Sequence, residues 1–265
     1  MADGVATDGL AYERLMGRAS RAVGSLFLDW LDLPEGLAWL DLGCGTGALS
    51  ETIADRAGPK LVMAVDTAEV QIAFARGRAG DRPLTYRIGD AGSLEFADGE
   101  FDAVVMGQAI AFMAQPAKAA REMKRVARPG GWVGTYMWDM TGEHFILAPL
   151  LRALDEMKID VAPSPGAEIS RLDYLVELFQ SAGLERVSGR ELDIEVSFAD
   201  FKDYWASNIC LANPAVQAIR RLSAAKSDQL RALLEASLSR DPAGRIMVWA
   251  RTNGVRGQVS AGAPL

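Results

Sequence analysis

The stretch Leu40-Asp41-Leu42-Gly43-Cys44-Gly45-Thr46-Gly47-Ala48 (40–48) decides how the rest of the chain is read. An apolar run, LAWLDL (37–42), enters three glycines at alternating positions. ALSETIADRA (48–57) leaves them, with Leu49, Ile53 and Ala57 at helical spacing. The succession is strand, tight loop, helix. Glycines at such a junction let a ligand approach the backbone at the carboxyl edge of a sheet, where the following helix begins.

Outward from the loop, further apolar runs recur: LVMAVD (61–66), LTYRIG (84–89), DAVVMG (102–107) and WVGTYMW (132–138). Several are apolar at consecutive positions, as in strands covered on both faces. The helical stretch at 116–131 opens on Pro116, and Pro129-Gly130-Gly131 reads as its stop and the turn into the next strand. Strand alternating with helix predicts a parallel, doubly wound α/β sheet. Beyond Trp138 the pattern changes. Residues 145–158 and 171–183 read as helices, 184–198 and 244–254 as strands, and 199–240 as a mostly helical insert. Residues 8–32 read as a helix free to fold over the sheet, and the residues after Arg256 as a frayed tail.

Composition narrows the function. Asp and Glu outnumber Lys and Arg by 35 to 28, the wrong balance for neutralising phosphates, so no nucleic-acid partner is expected. Two cysteines, Cys44 and Cys210, make no disulfide framework and have no zinc spacing, and the single His144 leaves no room for a multi-histidine site; no metal is expected. Cys210 reads as a packing residue, and a redox role for Cys44 is disfavoured. Residues 1–9 lack the basic and apolar regions of a secretory signal, and no apolar run approaches the ~20 residues that span a bilayer. The expectation is a soluble, cytoplasmic protein without integral membrane association.

Three acids then separate two cofactor chemistries. Asp41, Asp66 and Asp90 end or follow successive strands, 25 and 24 residues apart, so parallel strands in register set them along one rim. Gly43, Gly45 and Ala48 satisfy the dinucleotide pattern G-x-G-x-x-A, which keeps an NAD-dependent oxidoreductase open. Asp66 suits a ribose diol in either case. Asp41 discriminates: a carboxylate beside the loop repels a pyrophosphate and suits a cation, and no Lys or Arg occurs from 40 to 55 to offset it. S-adenosylmethionine carries a sulfonium and an ammonium and no phosphate. Nor does the chain contain the Tyr-x-x-x-Lys pair that could serve as proton donor to a hydride transfer.

LDLGCGTG (40–47), the Asp66 strand end, GDAGSLEFADGEFDAVVMGQA (89–109) and RVARPGGWVG (125–134), in this order, resemble the class I S-adenosylmethionine-dependent methyltransferases. The resemblance is to the small-molecule branch that includes the quinone C-methyltransferases. It implies a Rossmann-like sheet of seven strands, mostly parallel with one antiparallel strand near the C-terminus, plus a helical lid. It implies Gly43, Gly45 and Gly47 along the methionine moiety, Asp41 near its ammonium, Asp66 on the ribose and Thr67 beside the adenosine. Asp90 and Ala91 would meet the adenine. Gly107 and Gln108 would bring a backbone carbonyl toward the amine and wall the acceptor site. Tyr12 with Arg18 or Arg21 would lie on a helix over the cofactor. The implied organisation is an N-terminal helical segment over the cofactor site (1–36), a methyltransferase domain (37–256) with acceptor-lid inserts at 139–165 and 199–240, and a flexible tail (257–265).

The acceptor is expected to be a small, apolar or aromatic molecule, because the lid segments are rich in Phe, Met and Trp. GQAIAF (107–112) lacks the Asn-Pro-Pro-aromatic motif of enzymes that methylate amide or exocyclic nitrogens. His144 and Asp139, past the fifth strand, are the candidate bases if the acceptor must lose a proton. A non-catalytic S-adenosylmethionine-binding protein is the second alternative.

Overall fold

The computed structural model describes residues 17–209 and 213–261. Seven strands form one sheet: β1 (Ala38–Leu42), β2 (Leu61–Asp66), β3 (Leu84–Ile88), β4 (Phe101–Gly107), β5 (Ala127–Trp138), β6 (Glu185–Phe198) and β7 (Ile246–Gln258). Their order is β3-β2-β1-β4-β5-β7-β6. The first five are parallel, and β7 runs antiparallel to both its neighbours. The chain reverses direction across the sheet at β1, between β2 and β4. In doubly wound sheets that switch point opens a crevice at the carboxyl ends of the strands.

Helices cover both faces. On one lie α1 (Arg18–Leu31), α2 (Ala48–Arg56) and α3 (Glu69–Arg76); on the other lie α4 (Pro116–Val126) and α6 (Leu172–Ser181). The central strands are buried on both sides, which is why AWL (38–40) and AVVM (103–106) are apolar at consecutive positions. The remaining helices are α5 (Ala148–Glu156), between β5 and α6, and α7 (Phe201–Ile209), α8 (Pro214–Ile219) and α9 (Ala224–Ser237), between β6 and β7. α5 packs against α8 and α9, and the β6–β7 pair continues past the end of β5 toward them.

Two boundaries differ from the sequence reading. α4 stops at Val126 and β5 starts at once, so Arg128-Pro129-Gly130-Gly131 is an irregularity inside the strand and not a turn before it. The pairing jumps from Phe101 with Ala127 to Ala103 with Trp132. Asp102, at that irregularity, forms an ion pair with Arg128 and accepts the Ala38 N–H at 2.8 Å. Burial alone would raise its pKa; these two partners lower it. Asp102 thus orders the amino edge of the sheet, opposite the glycine loop. The second correction is at the tail: Gly257 and Gln258 still pair with Val133 and Trp132, so β7 extends two residues into it.

α1 ends at Asp32, whose left-handed backbone (φ 48°) returns its N–H to Leu28 O. Arg256 of β7 fastens that end. Its guanidinium donates to Trp30 O (2.7 Å) and Leu31 O (3.0 Å) and lies between the Trp30 and Trp132 rings, 5.0 and 5.2 Å from their centroids. Cationic groups at a helix C-terminus and over aromatic faces are both stabilising. Arg256→Met should therefore cost about 2 kcal/mol, from the lost charged hydrogen bonds and cation–π contacts. Urea unfolding measures this, and an unchanged midpoint would show the clamp to be idle.

Candidate functional site

The glycine loop leaves β1 at Gly43 and enters α2 at Ala48. Gly45 and Gly47 both have left-handed backbones (φ 55° and 91°). A Cβ on Gly45 would lie 2.8 Å from Gln71 Oε1, and one on Gly47 only 2.2 Å from the Tyr86 hydroxyl. Handedness demands glycine at both positions, and at Gly47 the Tyr86 ring crowds a side chain as well. The Cys44 N–H donates to Val65 O, and the Gly47 N–H to Cys44 O. The loop is therefore shaped before any ligand arrives.

Asp66, at the end of β2, braces it. Its carboxylate accepts the Gly45 N–H at 2.9 Å and the Ala68 N–H at 2.8 Å. Thr67 beside it is exposed. Asp41 is fully buried, and its Oδ2 accepts from the Ser50 hydroxyl at 2.5 Å. Its Oδ1 is buried with no partner. Burial pushes the Asp41 pKa from the ordinary 3.8 up to about 7; the Ser50 hydroxyl pulls it down and the Asp66 charge pushes it further up. A buried carboxylate oxygen without a donor is costly unless something supplies one. Cys44 is a buried free thiol whose pKa is pushed well up by burial and by Asp41 and Asp66, so it stays protonated and unreactive.

Asp90 follows β3 on an exposed turn, accepting the Gly92 N–H at 2.7 Å, while the neighbouring Ala91 is buried. The chain after it is pinned by α4. Arg125 donates to Leu94 O and Phe96 O, and Glu122 accepts the Leu94 N–H. These contacts fasten residues 94–96 to the last turn of α4. At the end of β4, Gly107 packs under the Tyr136 hydroxyl. Gln108 has φ 57°, donates its N–H to Tyr136 O, and accepts the Trp138 N–H on Oε1 at 2.8 Å.

Arg21 lies 4.0 Å from Glu51, which sits in the first turn of α2 and pairs with Arg78 at 2.7 Å. This ties α1 to the helix that opens on the glycine loop. Tyr12 and Cys210 lie outside the described residues, as does the side chain of Arg18.

The structure thus brings Asp41, the three glycines, Asp66 and Arg21 to one place. It treats the two candidate bases differently. His144 is exposed and lines a cleft of about 440 Å3 with Pro149, Arg152, Leu233, Met247 and Trp249, to which no residue of the glycine loop contributes. Asp139 curls into its own turn, where its carboxylate accepts from the Thr141 hydroxyl at 3.2 Å. Ser50, Gln71, Tyr86 and Glu51 complete the site and were missed by the sequence reading. Only Ser50 and Glu51 had a usable signal, as polar residues on the first turns of a helix otherwise buried against the sheet.

The profile of the methyltransferase domain family matches residues 40–134, from β1 to the middle of β5. A ubiquinone biosynthesis O-methyltransferase of Aromatoleum aromaticum is 30% identical over 164 residues, 56% of this chain and 69% of that protein. The chain belongs to the class I S-adenosylmethionine-dependent methyltransferases. Another methyltransferase, the 2-phytyl-1,4-naphthoquinone enzyme of Thermosynechococcus vestitus, is 35% identical over 126 residues. That match covers 45% of this chain, which spans only about half the length of that relative (56%). The fold agrees with that of a solved methyltransferase, phosphoethanolamine N-methyltransferase 2 of Haemonchus contortus (TM-score 0.59, 18% identity, 95% of this chain and 56% of that one). Among the described residues no helix is long and apolar enough to cross a membrane.

Proposed function

We propose that the glycine loop binds S-adenosylmethionine and that the chain transfers its methyl group to a small, apolar or aromatic acceptor. The observation that carries this reading is Asp41 Oδ1, a buried carboxylate oxygen without a donor, beside a loop with no cationic side chain. An ammonium supplies that donor; a pyrophosphate does not. In this reading Gly43, Gly45 and Gly47 lie along the methionine moiety. Asp66, whose carboxylate has lone pairs beyond its two backbone bonds, holds the ribose hydroxyls with Thr67 alongside, and Asp90 and Ala91 frame the adenine. The solved Haemonchus enzyme is a complex with S-adenosyl-L-methionine, which supports the cofactor, and the quinone names among the relatives support the acceptor class.

When bound, the cofactor supplies an electrophilic methyl on a sulfonium. The chain's part is then chiefly to hold the acceptor in line and exclude water, which supplies on the order of 7–11 kcal/mol at best. Gly107 and Gln108 wall the acceptor side, and α5 with α7–α9 form the lid. Where the acceptor must lose a proton, Asp139, next to Trp138 at the carboxyl edge, is the proposed base; His144 lines the separate cleft under α5 and α9.

Asp66→Ala should weaken S-adenosylhomocysteine binding by about 1.5–3 kcal/mol through lost charge-assisted hydrogen bonds; calorimetry giving wild-type affinity would remove Asp66 from the site. Turnover is tested by incubating the protein with S-adenosylmethionine and a panel of phenols, hydroquinones and aromatic amines. Formation of S-adenosylhomocysteine together with an acceptor heavier by one methyl is the expected result. Bound cofactor left unconsumed across the panel would make the chain a binding protein only.

A further inference from the structure

Two buried N–H donors at the carboxyl edge have nothing to donate to. Gln108 uses Oε1 to accept the Trp138 backbone N–H, which fixes the orientation of its amide, and leaves Nε2 buried without an acceptor. Trp138 itself is 4% exposed, and its indole Nε1 is also buried without an acceptor. Gln108 follows the last residue of β4, Trp138 ends the adjacent β5, and that 2.8 Å bond joins them. Gln108 moreover holds a left-handed backbone (φ 57°), an unfavourable conformation for a non-glycine residue, and one that marks functional positions when the surroundings enforce it. The chain just beyond is apolar (Ala109-Ile110-Ala111-Phe112-Met113), with Phe112 55% exposed. Two unsatisfied donors on residues joined by a hydrogen bond, with an apolar segment following in the chain, match a ligand with a flat apolar body and an oxygen at its edge.

We propose that Gln108 Nε2 and Trp138 Nε1 together bind a hydrogen-bond-accepting oxygen of the methyl acceptor, a phenol, phenolate or conjugated carbonyl. The inference rests on the cofactor reading above and deepens it by naming the acceptor's chemical class. Leaving a buried donor unpaired penalises an acceptor that lacks the oxygen, so the pair selects against plain hydrocarbons of the same shape.

The test compares 1-naphthol with naphthalene, equal in ring size and differing by one oxygen, each titrated into the protein saturated with S-adenosylhomocysteine. The wild type should bind 1-naphthol about ten-fold more tightly than naphthalene, and Trp138→Phe and Gln108→Leu should each lose most of that preference. Trp138→Phe should retain its affinity for S-adenosylhomocysteine, which also shows that it folds. Equal wild-type affinity for the two ligands, no binding of either, or an unchanged preference in both variants overturns the proposal. Loss of S-adenosylhomocysteine affinity in both variants would put the donors on the cofactor and overturn it too. If the wild type binds no S-adenosylhomocysteine at all, it is the cofactor reading that fails, and this inference with it.

Discussion

Asp41→Asn is expected to stabilise the ligand-free protein at pH 8 while abolishing tight binding of S-adenosylhomocysteine. Asp41 is fully buried, with its pKa raised from 3.8 to about 7 by burial. Between those values the folded state holds a proton that the unfolded state has released, so this group's contribution to stability falls as pH rises from about 4 to about 7. Below that window the contribution is unperturbed; above it, the cost reaches about 4 kcal/mol at most. Asparagine accepts the same Ser50 hydroxyl and carries no charge, so the variant escapes that cost at pH 8 and gains little at pH 4. Urea midpoints of both proteins at the two pH values measure the difference. A variant less stable than wild type by the same amount at both would refute the assignment. Binding should move the opposite way. An ammonium at Oδ1 favours the ionised carboxylate, so wild-type affinity should rise with pH up to about 7 and then level. Asp41→Asn should bind about a hundred-fold more weakly with no such rise.

Gly47→Ala is the second large effect. Its backbone sits at φ 91°, and the added methyl would lie 2.2 Å from the Tyr86 hydroxyl and 3.0 Å from the ring carbon bearing it. The left-handed conformation costs an alanine about 1–2 kcal/mol and the overlap about 1–3 more. Gly80 provides the control: φ is 59° but nothing lies within 4 Å of an added Cβ, so Gly80→Ala should cost only the conformational part. The expected order in urea is wild type, then Gly80→Ala, then Gly47→Ala, with Tyr86→Phe recovering part of the last by removing the hydroxyl. Equal midpoints for the two alanine variants would mean that Tyr86 does not shape the loop.

What the sequence makes legible is what chain-local pattern carries. Consecutive apolar residues mark strands buried on both faces, and parallel register turns the even spacing of Asp41, Asp66 and Asp90 into a shared rim. The glycine loop is legible because backbone handedness leaves a residue-type signature. The rest depends on contacts between distant segments. Nothing near Tyr86 or Gln71 announces that each will close on a loop glycine, and nothing near Arg256 announces Trp30. Pro129-Gly130-Gly131 misleads because the usual helix-stop residues serve here to crowd β5 against the backbone of Asp102. His144 reads as an acceptor-side residue from its distance along the chain, yet the turn carries it to the cleft under α5 and α9.

The central claim is that a buried carboxylate makes this glycine loop a site for a cationic, phosphate-free cofactor. Calorimetric titration with S-adenosylhomocysteine and with NAD, each at pH 6 and pH 8, tests it most directly. The account predicts saturable binding of S-adenosylhomocysteine that tightens by about ten-fold between pH 6 and pH 8, the range over which Asp41 ionises, and no binding of NAD at either. Binding of NAD without S-adenosylhomocysteine, or S-adenosylhomocysteine affinity indifferent to pH over that range, would contradict it.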